Sequence, residues 1–148
     1  MRLLIQRVSQ ASVKVENKIA GSIGQGCLVL CGFKAGDDKR DLSKIAEKCL
    51  NLRIFEDKIG KMNLSLMDIS GELLVVSQFT LYANCRKGRR PSFDRSMTPK
   101  EAEIFYGRLL EEFKKSGLRV ECGIFGAKME IALINDGPVT VLLDDDEI

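Results

Sequence analysis

Short apolar runs at 3–8, 13–15, 19–23 and 28–33 are separated by Glu16-Asn17-Lys18 and Gly24-Gln25-Gly26. Runs of this length bounded by turn-forming residues predict strands, and their close succession predicts an antiparallel meander over the first third of the chain. The period then changes. Leu42, Ile45, Ala46, Cys49 and Leu50 recur at helical spacing with lysines and acids opposite, the pattern of an amphipathic helix lying on a sheet. Thr98-Pro99-Lys100-Glu101 begins a second helix, with an N-cap, a proline at the first helical position and a glutamate placed for a capping box. Ala102, Phe105, Tyr106, Leu109, Leu110 and Phe113 give it an apolar face, and Gly117 closes it.

Three more strands are predicted at 72–81, 129–135 and 139–143, the last two joined through Asp136-Gly137-Pro138. Leu73 to Val76 are apolar at consecutive positions, as in a central strand covered on both faces. The expected fold is α+β, a barrel-like β-sheet domain with two amphipathic helices. Residues 1–148 should form a single compact domain, since 148 residues suffice for one core and neither a linker nor an internal repeat interrupts the pattern.

Composition narrows the chemistry. The chain is 45% hydrophobic and 30% charged, typical of a globular protein, and it contains no histidine. Ser-His and Cys-His nucleophile pairs are thereby excluded, along with the commonest metal ligand. Cys27, Cys31, Cys49, Cys85 and Cys122 are scattered without a CxxC pair, so they read as reduced thiols; no metal and no cofactor is expected. No apolar run is long enough to span a bilayer, and charges interrupt the opening MRLLIQRVSQ where a signal peptide needs a continuous apolar stretch, which predicts a cytoplasmic protein without a membrane partner. Asp144, Asp145, Asp146 and Glu147 read as a solvated acidic tail.

The net charge of +2 is small, but its distribution is uneven. Arg86, Lys87, Arg89, Arg90 and Arg95 follow directly on the strand that ends in Ser77-Gln78-Phe79-Thr80. Strand alternation sends Ser77 and Phe79 to one side and Gln78 and Thr80 to the other. Two readings remain open here: a strand emerging into solvent beside a solvated basic loop, or a site at a strand terminus whose basic neighbours grip phosphates while Tyr82 or Phe93 stacks on a base. Gly137-Pro138 likewise reads either as an ordinary hairpin turn or as a turn presenting backbone carbonyls to a ligand.

Taken together, Ser77-Gln78-Phe79-Thr80, Arg90-Pro91-Ser92-Phe93, Phe125-Gly126-Ala127-Lys128-Met129 and Asn135-Asp136-Gly137-Pro138-Val139-Thr140 resemble the successive motifs of the D-aminoacyl-tRNA deacylases (D-tyrosyl-tRNA(Tyr) deacylases), in order and over essentially the full chain. The resemblance implies a homodimeric hydrolase with a cross-subunit active site. It would cleave the ester of D-aminoacyl-tRNA, and of glycyl-tRNA as a further substrate, in chirality proofreading. It also implies a cis Gly137-Pro138 turn that enters the partner's site as a chiral filter. Ser77, Gln78, Phe79 and Thr80 would be catalytic. Arg7, Phe125, Ala127 and Met129 would support the filter or bind substrate, and Arg86, Lys87, Arg89 and Arg90 would bind tRNA. Backbone N–H groups near Phe79 and Thr80 would be the oxyanion donors. Thr80 is either a nucleophile or a residue lining the pocket, and substrate-assisted hydrolysis is the preferred mechanism because no base is visible in the sequence. The alternatives from other classes are a non-catalytic RNA- or DNA-binding module and a small-molecule esterase.

Overall fold

The computed structural model describes residues 1–147. β1 (Arg2–Val15) is paired along both of its edges. One edge carries β2 (Lys18–Ile23) and then β3 (Gly26–Gly32), both antiparallel to β1. The first two predicted runs are therefore one strand. The expected meander is corrected as well, because β2 does not lie between β1 and β3. Glu16 and Asn17, at φ 50° and 63°, reverse the chain into β2, but 24–25 only interrupt an arm that continues in the same direction. Ala11 faces Ile23 and Val8 faces Gly26 in a common register.

The other edge of β1 pairs with β8 (Glu130–Asp144). β6 (Glu72–Ser77) adds parallel to β3, and the short β7 (Val120–Cys122) adds parallel to β6. β2 approaches β6 and β7, so the sheet curls toward a barrel. A small hairpin, β4 (Phe55–Glu56) with β5 (Met62–Leu64), stands apart from it.

Two apolar layers result. Leu73 and Val75 of β6 join Cys27, Val29 and Cys31 of β3 beneath the helices, while Leu74 and Val76 point into a second cluster with Val8, Val13 and Leu28. The apolar run at 73–76 is thus covered on both faces, as its sequence predicts. The first layer is roofed by α1 (Leu42–Leu50) and α2 (Pro99–Lys114). All five residues of the predicted α1 stripe are buried, and Asp41 caps the helix through its Oδ1, which accepts from Ser43 N–H at 2.9 Å.

α2 begins after Thr98, but without the expected reciprocal box: the Thr98 hydroxyl donates to Glu101 Oε2 at 2.7 Å instead of accepting from the backbone. Tyr106, buried on α2, donates its hydroxyl to the Val75 carbonyl at 2.9 Å and so ties the helix to β6. Gly117, at φ 77°, follows the helix as predicted.

The acidic tail is not a solvated appendage. Asp144 accepts from Arg2 Nε at 2.8 Å, Asp145 is buried, and Asp146 meets both Lys34 and Arg40. The cations that hold the tail lie far upstream in the chain, which is why its composition alone suggested solvation.

Cys27, Cys31 and Cys49 are buried and Cys85 is exposed. Burial pushes the Cys27 thiol up to about 12, against the opposing pull of Arg7, and also raises Cys31 and Cys49. Because the thiolate is the reactive form, a titration with iodoacetamide at about pH 8 is expected to modify Cys85 in the folded protein and Cys27, Cys31 and Cys49 only after unfolding. Mass-spectrometric detection of early modification at Cys27 or Cys31 would contradict this core.

Candidate active site

β6 ends where its partner ends. Cys31 pairs with Ser77, and the Gln78 N–H donates to the Cys31 carbonyl at 2.7 Å as the last rung of the ladder before β3 stops at Gly32. Beyond it the chain winds into a 3₁₀ turn at Phe79–Tyr82, so the strand expected to run to 81 is shorter by four residues. The predicted alternation fails there too: Ser77, Gln78 and Phe79 all face the same cavity.

That cavity has a volume of about 760 Å³. Its wall unites Ser77, Gln78 and Phe79 with Phe125, Ala127 and Met129, which approach from the segment before β8. Gly32 makes the junction possible. A Cβ there would stand 2.8 Å from the Gln78 carbonyl oxygen and 3.0 Å from Leu81 Cβ, so only glycine lets the turn seat against the end of β3.

The lining also includes residues absent from the sequence-based set: Phe33, Met97, Thr98, Pro99 and Ala102, contributed by the end of β3 and the start of α2. In the sequence Thr98-Pro99 signals a helix start and carries no separate mark of a cavity wall. Phe33 meets Phe105 of α2 edge-on at 5.2 Å, and Tyr106 lies 5.8 Å from Phe125. The core face of α2 therefore backs the cavity wall directly.

Thr80 lies outside the cavity lining and is exposed. Its hydroxyl is met by the Gln78 side-chain amide, a donor and not a proton acceptor. The Thr80 carbonyl accepts from Ala83 N–H at 3.0 Å within the turn. The N–H groups of Phe79 and Thr80 head a 3₁₀ turn, where the first donors precede any intrahelical acceptor.

The basic residues sit at the rim. Asn84 and Ser92 exchange two backbone hydrogen bonds, at 2.8 and 3.0 Å, closing the loop that carries Arg86, Lys87, Arg89 and Arg90, all exposed. Directly after the loop, Phe93 meets Phe79 edge-on at 4.9 Å, and Ser96 Oγ donates to the Phe79 carbonyl at 3.3 Å. The loop base and the cavity wall are one unit.

Gly137, Pro138 and Arg7 are elsewhere, on the β1–β8 pair and outside the cavity lining. Instead of a hairpin between two strands, the Gly-Pro segment is a wide bulge within β8. Gln6 faces Thr140 and Val8 faces Asn135, so Arg7 alone opposes Asp136, Gly137, Pro138 and Val139. The Gly137–Pro138 bond is cis, and both residues are exposed. Gly137 has φ 145°, a value that L side chains rarely adopt.

Arg7 is buried behind this bulge. Its Nε donates to the Asp136 carbonyl and its Nη1 to the Ile54 carbonyl, each at 2.7 Å, with the Glu56 carboxylate 3.8 Å away. These partners compensate a charge that would otherwise be costly to bury.

A family model described as D-Tyr-tRNA(Tyr) deacylase matches residues 4–144. The chain belongs to that family. It is 55% identical over 148 residues to the D-aminoacyl-tRNA deacylase of Thermosipho africanus (strain TCF52B), covering 100% of this chain and 99% of the relative. To the D-aminoacyl-tRNA deacylase of Aquifex aeolicus (strain VF5) it is 52% identical, with 100% of both covered. As a member of this deacylase family it is an enzyme, a hydrolase.

Among solved structures, one described as c-Myc DNA Unwinding Element Binding Protein superposes with a TM-score of 0.91 at 42% identity, covering 98% of this chain and 99% of that one. Another, described as a probable eukaryotic D-amino acid tRNA deacylase, shares the fold with a TM-score of 0.84 at 21% identity, covering 96% and 97%.

Gly32→Ala tests the seating of the turn. Overpacking there is expected to cost roughly 1–3 kcal/mol of stability, read as a lowered denaturant midpoint. An unchanged midpoint would mean that the turn yields and does not depend on the close approach.

Proposed function

We propose that the protein hydrolyses the ester joining a D-amino acid to the terminal adenosine of tRNA, releasing the free amino acid and tRNA. This is a cytoplasmic chirality-proofreading reaction in translation. The observation that carries the reading is the junction of one cavity wall, built by Ser77, Gln78 and Phe79, with a rim loop bearing Arg86, Lys87, Arg89 and Arg90. A substrate with a polyanionic body and an apolar acyl end matches both halves.

The chemistry needs little from side chains. Water attacks the ester carbonyl carbon, the carbonyl oxygen becomes an oxyanion, and the bond to the ribose oxygen breaks. The proton lost by water returns to that ribose oxygen through the neighbouring ribose hydroxyl. The N–H groups of Phe79 and Thr80 would meet the oxyanion, a kind of interaction worth about 3–4 kcal/mol per donor. The absence of histidine is compatible with such substrate-assisted hydrolysis. So is the donor, not acceptor, on the Thr80 hydroxyl, which leaves Thr80 as an orienting residue.

Discrimination is assigned to Gly137 and Pro138 of a second subunit in a homodimer. Their exposure, and their absence from the cavity lining of their own protomer, support a cross-subunit role. Carbonyls of the turn would hold the substrate amino group and leave no room for an L side chain. Glycine, having no side chain, would pass the same filter.

A role in binding nucleic acid beside the hydrolysis is the second reading. The likeness to a protein described as a DNA unwinding element binding protein favours it, and the same basic loop would serve it.

Incubation with D-tyrosyl-tRNA and L-tyrosyl-tRNA in parallel, with chelator present, tests the first. Rapid release from the D form alone is expected. Retention of bound but uncleaved tRNA would contradict the D-aminoacyl ester as the substrate.

Thr80→Ala is expected to lower kcat by less than about tenfold, the loss of roughly one neutral hydrogen bond. A fall of several orders of magnitude, as when a nucleophile is removed, would overturn the substrate-assisted mechanism. Neutralising Arg89 and Arg90 should weaken tRNA binding and flatten the log–log salt dependence by about 0.7–0.9 for each phosphate no longer neutralised. An unchanged slope would remove the loop from the tRNA interface.

A further inference from the structure

The bulge opposite Arg7 needs a second anchor. Arg7 holds only its first carbonyl, that of Asp136, at 2.7 Å. The three residues that follow have no partners on β1, because β1 supplies a single residue across the whole gap. Pro138 has no N–H, so Val139 carries the first backbone donor after the Gly-Pro pair.

Asn135 satisfies that donor from within the same strand. Its Oδ1 accepts from Val139 N–H at 2.7 Å, and its Nδ2 donates to the Val139 carbonyl at 3.1 Å. The carboxamide thus pairs with both polar groups of Val139 as the backbone of a neighbouring strand would. The Thr140 hydroxyl completes the arrangement, accepting from Asn135 Nδ2 at 3.2 Å and from Gln6 Nε2 at 3.3 Å. Register resumes at once, with Thr140 facing Gln6. The bulge is therefore gripped at its start by a buried guanidinium and at its finish by an amide.

We propose that Asn135 is a positioning residue for chiral discrimination: its side chain clamps Val139 and so fixes where the Gly137 and Pro138 carbonyls point. The inference rests on the reading of Gly137-Pro138 as the filter. Asn135 touches no substrate in this account. It acts through Val139, and the quantity it controls is the ratio of D to L turnover. Alanine leaves both Val139 groups without their partner. Aspartate keeps an acceptor for the Val139 N–H, but when ionised it turns a second lone pair on the Val139 carbonyl. Protonated aspartic acid has one donor and one acceptor and reproduces the clamp.

The test measures kcat/KM on D-tyrosyl-tRNA and L-tyrosyl-tRNA for the unsubstituted protein and for Asn135→Ala, Asn135→Asp and Pro138→Ala, alongside thermal midpoints. Displacing reacting groups by about 1 Å is worth up to roughly 100-fold, so Asn135→Ala should lower the D/L ratio by about ten- to a hundredfold. In Asn135→Asp the ratio, taken relative to the unsubstituted protein at each pH, should recover as pH falls through the carboxyl pKa. In Asn135→Ala it should stay flat.

A purely structural role would shift the midpoint or lower both rates together while preserving the ratio, and that result overturns the proposal. So does a ratio in Asn135→Asp that is defective but independent of pH, which keeps the test decisive if Asn135→Ala does not fold. An unchanged ratio in Asn135→Ala beside a collapsed one in Pro138→Ala would reject Asn135 while sparing the filter. An unchanged ratio in Pro138→Ala would reject the filter itself.

Discussion

The pairing of β1 along both edges is the constraint from which the Gly-Pro bulge opposite Arg7 follows. β1 is committed along both edges, to β2 and β3 on one side and to β8 on the other. It cannot shift to absorb extra residues in β8 without breaking the opposite ladder, and a slip of one residue would turn the buried Leu3, Ile5 and Val13 away from their clusters. The surplus therefore leaves the sheet. Asp136, Gly137 and Pro138 bulge outward, backed by the buried Arg7, while Val139 packs back against the core.

The cavity arises from a second ending of strand pairing. β3 stops at Gly32, β6 loses its partner, and the chain folds over into the turn at Phe79–Tyr82. Parallel strands with their carboxyl ends released together commonly leave such a crevice, and here α2 closes its far wall with Thr98, Pro99 and Ala102. The basic loop springs from the same place, stapled by the Asn84–Ser92 bonds and the Phe79–Phe93 pair. Cavity and cations are thus held by the same short segment, while the bulge belongs to a different strand pair. In the proposed dimer, a site using all three would take two of them from one subunit and the third from another.

Much of this was legible in the sequence where a pattern depends on one element alone. The stripe from Leu42 to Leu50, the apolar face of α2 and the doubly buried run at 73–76 follow from periodicity, and each lies where expected. Six of the candidate residues, Ser77, Gln78, Phe79, Phe125, Ala127 and Met129, meet on one wall. What escaped depends on partners. Alternation does not say which edge of β1 receives β2, nor that β6 ends because β3 does. Gly-Pro reads alike in a hairpin and in a wide bulge, and only the register of the opposing strand distinguishes them. Asp144 and Asp146 looked like a free tail because Arg2, Lys34 and Arg40 are distant in sequence.

In the proposed dimer the cavity wall of one subunit and the Gly-Pro bulge of the other make one site. Mixing two inactive variants tests it directly, one defective in the wall at Phe79 and one in the bulge at Gly137, after unfolding and joint refolding. Random pairing puts an unaltered wall beside an unaltered bulge in half of the dimers, at one of two sites, so about a quarter of the normal activity should return. A mixture as inactive as its components, with mixed dimers demonstrated by mass, would contradict the shared site.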